Sequence, residues 1–274
     1  MYKPTWCPGC GNFGTLQALK GAMDKVSLKP TDAVTVFDIG CGSNMVNWSP
    51  GTAFSSLHGR TLPVAQGIKM IKPDLTVLAI AGDGGCYGEG GNHLLHAARR
   101  NVDITLLVHN NQVYALTTGQ TSPSSGKGFK TKSTPAGVKE QGLNPVLVSI
   151  AAGASFVARG FAGDIPHLTN LIAAAISHKG FSVVDILQPC ITFNQVNTFA
   201  WFKERIYKLE ENFKPADKVA ALQKSLEWPV NGGDSKIPIG IFYREERPAR
   251  IATQSVAGGE TEKNRLEELI KEFL

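Results

Sequence analysis

Short apolar runs alternate with amphipathic stretches along the first 190 residues or so of the chain. Ala33–Asp38, Leu75–Ala81 and Asp103–Asn110 are rich in Val, Ile and Leu and are closed by polar or glycine residues. That is the pattern of strands buried on both faces. Ser182–Leu187 reads as a fourth strand. In Phe13–Val26, Leu16, Leu19, Met23 and Val26 recur at spacings of three and four, which predicts a helix with one apolar stripe. Glu89–Arg100 and Pro166–Lys179 are further predicted helices. Such alternation predicts an α/β fold, a mostly parallel sheet with helices on both faces.

After about residue 200 the pattern changes. Phe202, Ile206, Leu209 and Phe213 form an apolar stripe on a predicted helix otherwise rich in Lys and Glu, Pro229–Gly233 reads as a loop, and Glu262–Leu274 reads as an amphipathic helix. The expected organisation is one domain over 1–200 and a C-terminal helical extension over 201–274, packed on that domain or on a partner subunit.

Composition narrows this little: 274 residues with 42% hydrophobic and 19% charged side chains are ordinary for a globular protein. The most apolar runs, Leu75–Gly82 and Asp103–Val108, are far too short to span a bilayer. Met1–Cys7 has no apolar core of a secretory signal, so a cytoplasmic protein is expected. A net charge of +5 spread along the chain does not point to nucleic acid. Lys127, Lys130, Lys132 and Lys139 gather in one Gly/Ser/Thr-rich stretch, either a solvated loop or a docking surface for phosphates or an acidic partner.

Cysteine changes the picture more. Five cysteines with no secretion signal argue against a disulfide framework. Cys7 and Cys10 form a Cys-x-x-Cys, a spacing compatible with zinc, a redox disulfide or an iron–sulfur cluster. Cys41, in Asp38-Ile39-Gly40-Cys41-Gly42, follows the first predicted strand, and Cys190 follows the fourth. In a parallel sheet both come to one edge, and Cys86 is left over as a small buried residue.

Gly82-Asp83-Gly84-Gly85 comes directly after a predicted strand, and Asn110-Asn111 ends the next. A glycine turn lets backbone N–H groups approach a phosphate, but an aspartate there repels it unless a cation lies between them. Magnesium resolves the conflict by taking Asp83, a diphosphate and further oxygens, with Asn111 and the Val113 carbonyl as protein donors. The arrangement resembles the diphosphate-binding signature of thiamine-diphosphate enzymes.

The resemblance then becomes specific. Trp6–Phe13 (WCPGCGNF), Leu57-His58-Gly59-Arg60-Thr61-Leu62-Pro63-Val64-Ala65, Gly90–Leu94 with His96–Asn101, Asn111-Gln112-Val113-Tyr114 with Leu116–Gln120 and Ser122-Pro123, and Lys130–Pro135 are similar to the beta subunits of 2-oxoacid:ferredoxin oxidoreductases. The similarity spans roughly residues 5 to 200. It implies a 4Fe–4S cluster on Cys7, Cys10, Cys41 and Cys190, and magnesium on Asp83, Asn111 and Val113. It implies thiamine diphosphate lined by Ile39, Gly40, Cys41, Gly42, Gly82, Asp83, Gly84, Gly85, Asn111, Leu116 and Thr117, with His58 nearby.

The implied reaction is coenzyme-A-dependent oxidative decarboxylation of a 2-oxoacid of the pyruvate or 2-oxoglutarate class to acyl-CoA and CO2. Electrons pass through the cluster to ferredoxin, and the reaction can also be run in reverse. The carboxylate that activates the cofactor is expected from an alpha subunit with a pyrimidine-type domain, in a dimer of heterodimers. Two positions depart from the family: Gly85-Cys86 follows Gly84 where Gly-Asp-Gly-Asp is common, and Asn44 stands where many relatives place a lysine for the substrate carboxylate. Asn44 and His58 are the candidate catalytic positions in this chain. The alternative is a non-redox thiamine-diphosphate decarboxylase subunit whose cysteines hold structural zinc. His93 and His96 share a helix face but have no third ligand, and neither a Gly-x-Ser-x-Gly elbow nor a Walker loop is present.

Overall fold

The computed structural model describes residues 4–210, 212–228, 235–250 and Lys271. In chain order its elements are α1 (Asn12–Lys25), β1 (Ala33–Phe37), β2 (Thr52–Ser55), α2 (Thr61–Ile71), β3 (Thr76–Gly82), α3 (Gly91–Arg100), β4 (Ile104–Asn110), β5 (Val113–Tyr114), β6 (Gln120–Thr121), α4 (Pro145–Ala151), β7 (Phe156–Phe161), α5 (Ile165–Ser177), β8 (Phe181–Leu187), α6 (Phe199–Arg205), β9 (Ile206–Lys208), α7 (Lys218–Ser225) and β10 (Ile237–Arg244). Eight strands form one sheet in the order β2-β1-β3-β4-β8-β7-β10-β9. From β2 through β7 every pairing is parallel, and β10 joins β7 antiparallel with β9 parallel to β10.

The central strands are apolar on both faces because both faces are covered. Alternate residues of each strand enter two different cores. Val34, Val36, Val77, Ala79, Ala81, Leu106 and Val108 pack with Leu62, Leu94, Ala97, Val146 and Ala221 from α2, α3, α4 and α7. Phe37, Leu78, Ile80, Leu107, Val184 and Ile186 pack with Ala18, Leu19, Leu168 and Ile172 from α1 and α5. This is the period-two rule applied to a sheet with no wet face.

The part of the chain expected as a helical extension instead contributes two strands to the main sheet. Phe202, Ile206, Leu209 and Phe213 do not share one helix: α6 ends at Arg205, and Ile206 is extended, at φ −70° and ψ 143°. Ile206 pairs with Ile237, and the Leu209 N–H donates to the Ile239 carbonyl at 2.9 Å. The stripe satisfied a helical period, but β10 offered the backbone a ladder instead. The expected loop over 229–233 lies outside the described residues, and of the expected helix over 262–274 only Lys271 is described, in a helix. The predicted helix from Glu89 begins at Gly91, because Gly84–Glu89 forms a wider π-type turn closed by a Gly90 N–H to Gly85 carbonyl bond of 2.7 Å. Such turns widen the backbone and recur at functional sites.

Candidate functional site

The parallel pairing brings four strand ends to one edge. Gly82 at the end of β3 lies opposite His109 in β4, and Asn110 opposite Leu187 in β8. The segments that follow β1, β3, β4 and β8 carry Asp38–Gly42, Asp83–Gly85, Asn111 and Gln188–Cys190 respectively. The chain leaves β1 outward to β2 and then returns to β3 on its other side, so the β1–β3 junction is where connections diverge. Ligands of open α/β sheets bind at such junctions, outside the carboxyl ends of the strands.

A cavity of about 80 Å³ opens there. It is lined by Ile39, Gly40, Cys41, Gly42, His58, Gly82, Asp83, Gly84, Gly85, Asn111, Val113, Leu116 and Thr117. Every residue singled out in the sequence for thiamine diphosphate or magnesium is therefore on one wall or another of it. Asp83 is 2% exposed. Burial pushes its carboxyl up to about 6, against the opposing hydrogen bonds of Ser122 and Ser124. Ser122 Oγ donates to Asp83 Oδ2 at 2.6 Å, and Ser124 Oγ donates to the same atom. A buried carboxylate without a cation is costly, which is the condition a bound metal relieves.

The glycines are required by close approach. A Cβ on Gly84 would lie 2.2 Å from the Tyr114 ring, and one on Gly85 would lie 1.8 Å from Asp38 Oδ2. The donor set and the bare turn fit a magnesium-bound diphosphate.

A second cavity, of about 240 Å³, is lined by Cys7, Cys10, Cys41 and Cys190 together with Trp6, Asn44 and Gln188. Cys41, Asn111, Ala115 and Leu116 line both cavities. Burial, then the neighbouring Cys10, Cys190 and Cys7, pushes the Cys41 thiol up to about 11. Burial raises Cys10 as well, with Cys190 and Cys7 adding to it and the Asn12 backbone N–H opposing. Crowded, desolvated thiols of this kind are relieved by shared cationic metal. Among the described residues no three His, Cys, Asp or Glu side chains converge tightly enough for a single ion. Four cysteines lining one cavity are a donor set that an iron–sulfur cluster or a zinc ion can take.

Asn44 lines the cysteine cavity and not the diphosphate cavity. His58 Nδ1 lies 3.3 Å from Glu89 Oε2, and Tyr114 Oη donates to the same carboxylate. Cys86 is buried behind the turn, its thiol raised by burial. Lys127, Lys130, Lys132 and Lys139 are all exposed. Ser122, Ser124, Asp38, Glu89, His109 and Gln188 were not singled out from the sequence. Ser122 stood in a quoted motif, but its partner Asp83 is 39 residues away, so no local spacing announces the contact.

Known proteins share both the sequence and the architecture. The family described as thiamine pyrophosphate enzyme, C-terminal TPP binding domain, matches residues 35–186. The family describing the C-terminal part of the pyruvate ferredoxin oxidoreductase beta subunit matches 190–255. The chain is 44% identical over 254 residues to the 2-oxoacid:ferredoxin oxidoreductase subunit beta of Saccharolobus solfataricus, covering 88% of this chain and 82% of that protein. It is 37% identical over 220 residues to the 2-oxoglutarate synthase subunit KorB of Archaeoglobus fulgidus, covering 80% of each. A solved 2-oxoglutarate:ferredoxin oxidoreductase from Magnetococcus marinus, with 2-oxoglutarate, coenzyme A and succinyl-CoA bound, superposes with a TM-score of 0.87 at 34% identity. That superposition covers 97% of this chain and 88% of the other. No helix among the described residues is long and apolar enough to cross a membrane.

Proposed function

Because the chain belongs to the beta subunits of the 2-oxoacid:ferredoxin oxidoreductases, we propose that it carries magnesium thiamine diphosphate and one 4Fe–4S cluster in adjoining cavities. With an alpha subunit it converts a 2-oxoacid of the pyruvate or 2-oxoglutarate class and coenzyme A to acyl-CoA and CO2, passing electrons to ferredoxin in the cytoplasm. Asp83, Asn111 and the Val113 carbonyl hold the metal. The glycine turn at Gly82, Gly84 and Gly85 admits the diphosphate, while Ile39–Gly42, His58, Leu116 and Thr117 shape the rest of the cavity. Cys7, Cys10, Cys41 and Cys190 hold the cluster.

Bound there, thiamine diphosphate supplies the electron sink that a 2-oxoacid decarboxylation requires. The chain's own residues orient that cofactor, neutralise its diphosphate through the metal and exclude water from the buried Asp83. The carboxylate that activates the cofactor comes from the alpha subunit, and two such heterodimers pair. Residues up to about 200 carry the cofactor sites, and β9 and β10 complete the same sheet.

The observation that carries this reading is the shared wall: Cys41 and Asn111 line both cavities, so a cofactor held in one would adjoin a cluster held in the other. Anaerobic purification of the alpha–beta complex, with metal and cofactor analysis, tests it. About four iron and four sulfide per chain are expected, with magnesium and thiamine diphosphate. Zinc at about one per chain with no iron would instead establish the non-redox decarboxylase reading.

A further inference from the structure

Gln188 follows β8 and is 1% exposed. Its carboxamide is used completely. Nε2 donates to the Pro189 carbonyl at 3.0 Å and to Cys10 Sγ at 3.5 Å. Oε1 accepts from Asn111 Nδ2 at 3.3 Å. The Pro189 carbonyl accepts only, so it fixes which end of the amide is nitrogen, and the oxygen must then face Asn111. Asn111 is fixed in turn: its Oδ1 accepts from the Val113 N–H at 3.1 Å, so its nitrogen is the end turned to Gln188. Gly11 packs directly on the Gln188 side chain, where a Cβ would sit 3.0 Å from Cγ. The amide therefore has one available pose.

We propose that Gln188 is a positioning residue shared by the two sites, donating an N–H to the Cys10 sulfur while its oxygen holds the Asn111 amide, leaving the second lone pair of Asn111 Oδ1 for the metal. The proposal rests on the reading of function above and adds a residue to it. Its two ends predict two separable effects. An N–H donor to a cluster sulfur favours the reduced, more negative cluster and so raises its midpoint potential. A partner that orients a metal ligand contributes to metal affinity, and losing it typically costs about 10–100-fold.

Gln188→Met keeps the length of the side chain and removes both contacts. In the alpha–beta complex the variant is expected to keep its iron and sulfide content and to assemble, with a lower melting temperature because the Asn111 amide and the Pro189 carbonyl lose a partner. Its cluster's midpoint potential should fall, and magnesium thiamine diphosphate should bind about 10–100-fold more weakly by calorimetry. A cluster-loaded variant in which either quantity stays at the wild-type value overturns the shared role. If the variant does not assemble, pulsed EPR of the reduced wild-type cluster decides, using protein labelled with 15N in its glutamine side-chain amides. A coupled nitrogen supports the N–H to Cys10 contact, since Gln188 is the glutamine that touches a cluster cysteine among the described residues; no coupling overturns it. A wild-type complex without iron would overturn the reading of function instead, before this test begins.

Discussion

Asp38 Oδ2 is buried, makes no hydrogen bond among the described residues, and lies where a Cβ on Gly85 would be, 1.8 Å away. Its Oδ1 accepts the Gly59 N–H at 2.8 Å, so the carboxyl cannot swing aside without breaking the loop that carries His58. Gly85→Ala is therefore expected to abolish magnesium thiamine diphosphate binding measured by calorimetry. Gly91→Ala, six residues on and with open space at its Cβ, should leave binding unchanged. Equal affinities for the two variants would show that the turn does not need to be bare. At this scale the candidate groups were legible as candidates, because Gly-Asp-Gly-Gly, Asn-Asn and the four cysteines are local words with local chemistry, and the fold gathers them around two adjoining cavities. The residues that hold them were not. Ser124 reaches Asp83 across 41 positions and Gln188 reaches Cys10 across 178, and no spacing encodes a contact made only by folding.

The strands show the same limit at the level of elements. β1, β3, β4 and β8 are close to their predicted ranges, because each is a run of apolar residues. β7 escaped the pattern because Phe156–Phe161 has an arginine in its middle. Arg159 is 0% exposed, and its Nε donates to Asp185 Oδ2 at 3.0 Å on the neighbouring strand, in register. Its guanidinium also lies 4.1 Å from the centre of the Trp228 ring. Asp185 accepts from Tyr87 and Asn110 too, and Asn110 Oδ1 lies 3.0 Å from the Ser124 hydroxyl, which can turn its one hydrogen to it or to Asp83. The pair thus anchors a chain of hydrogen bonds that ends at the diphosphate turn. Arg159→Met leaves Asp185 buried with no cation, a loss expected to cost about 3–5 kcal/mol in chemical denaturation. A cost below about 1 kcal/mol would mean that Asp185 is held by its neutral donors alone.

Across the molecule as a whole, large apolar side chains stand uncovered near the cavity mouth. Ile39 is 43% and Leu116 51% exposed, and both line the cavity, while Leu57, beside His58, is 77% exposed. Exposed apolar groups at a polar site are available to a bound ligand or to a partner. Membership of a beta-subunit family implies an alpha subunit, and these residues are where it would close the site. The purified chain alone is expected to show no 2-oxoacid-dependent reduction of ferredoxin, and adding the alpha subunit should restore it. Turnover by this polypeptide without any other would refute the requirement.

Local sequence was enough to establish the α/β class and the approximate positions of four central strands, and to single out candidate residues by their chemistry. Those properties follow from short-range periodicity and from residue types whose reactivity does not depend on the rest of the chain. Folding in three dimensions was needed to place the C-terminal segment in the sheet as β9 and β10, since whether a backbone closes a helix or a ladder depends on what edge is offered to it. Folding also makes the cysteines surround a volume that shares walls with the diphosphate cavity. That convergence is set by strand order and parallel register, which bring residues 41, 111 and 190 to one edge, where the segment before α1 adds Cys7 and Cys10; neither quantity is written in any local stretch of the chain.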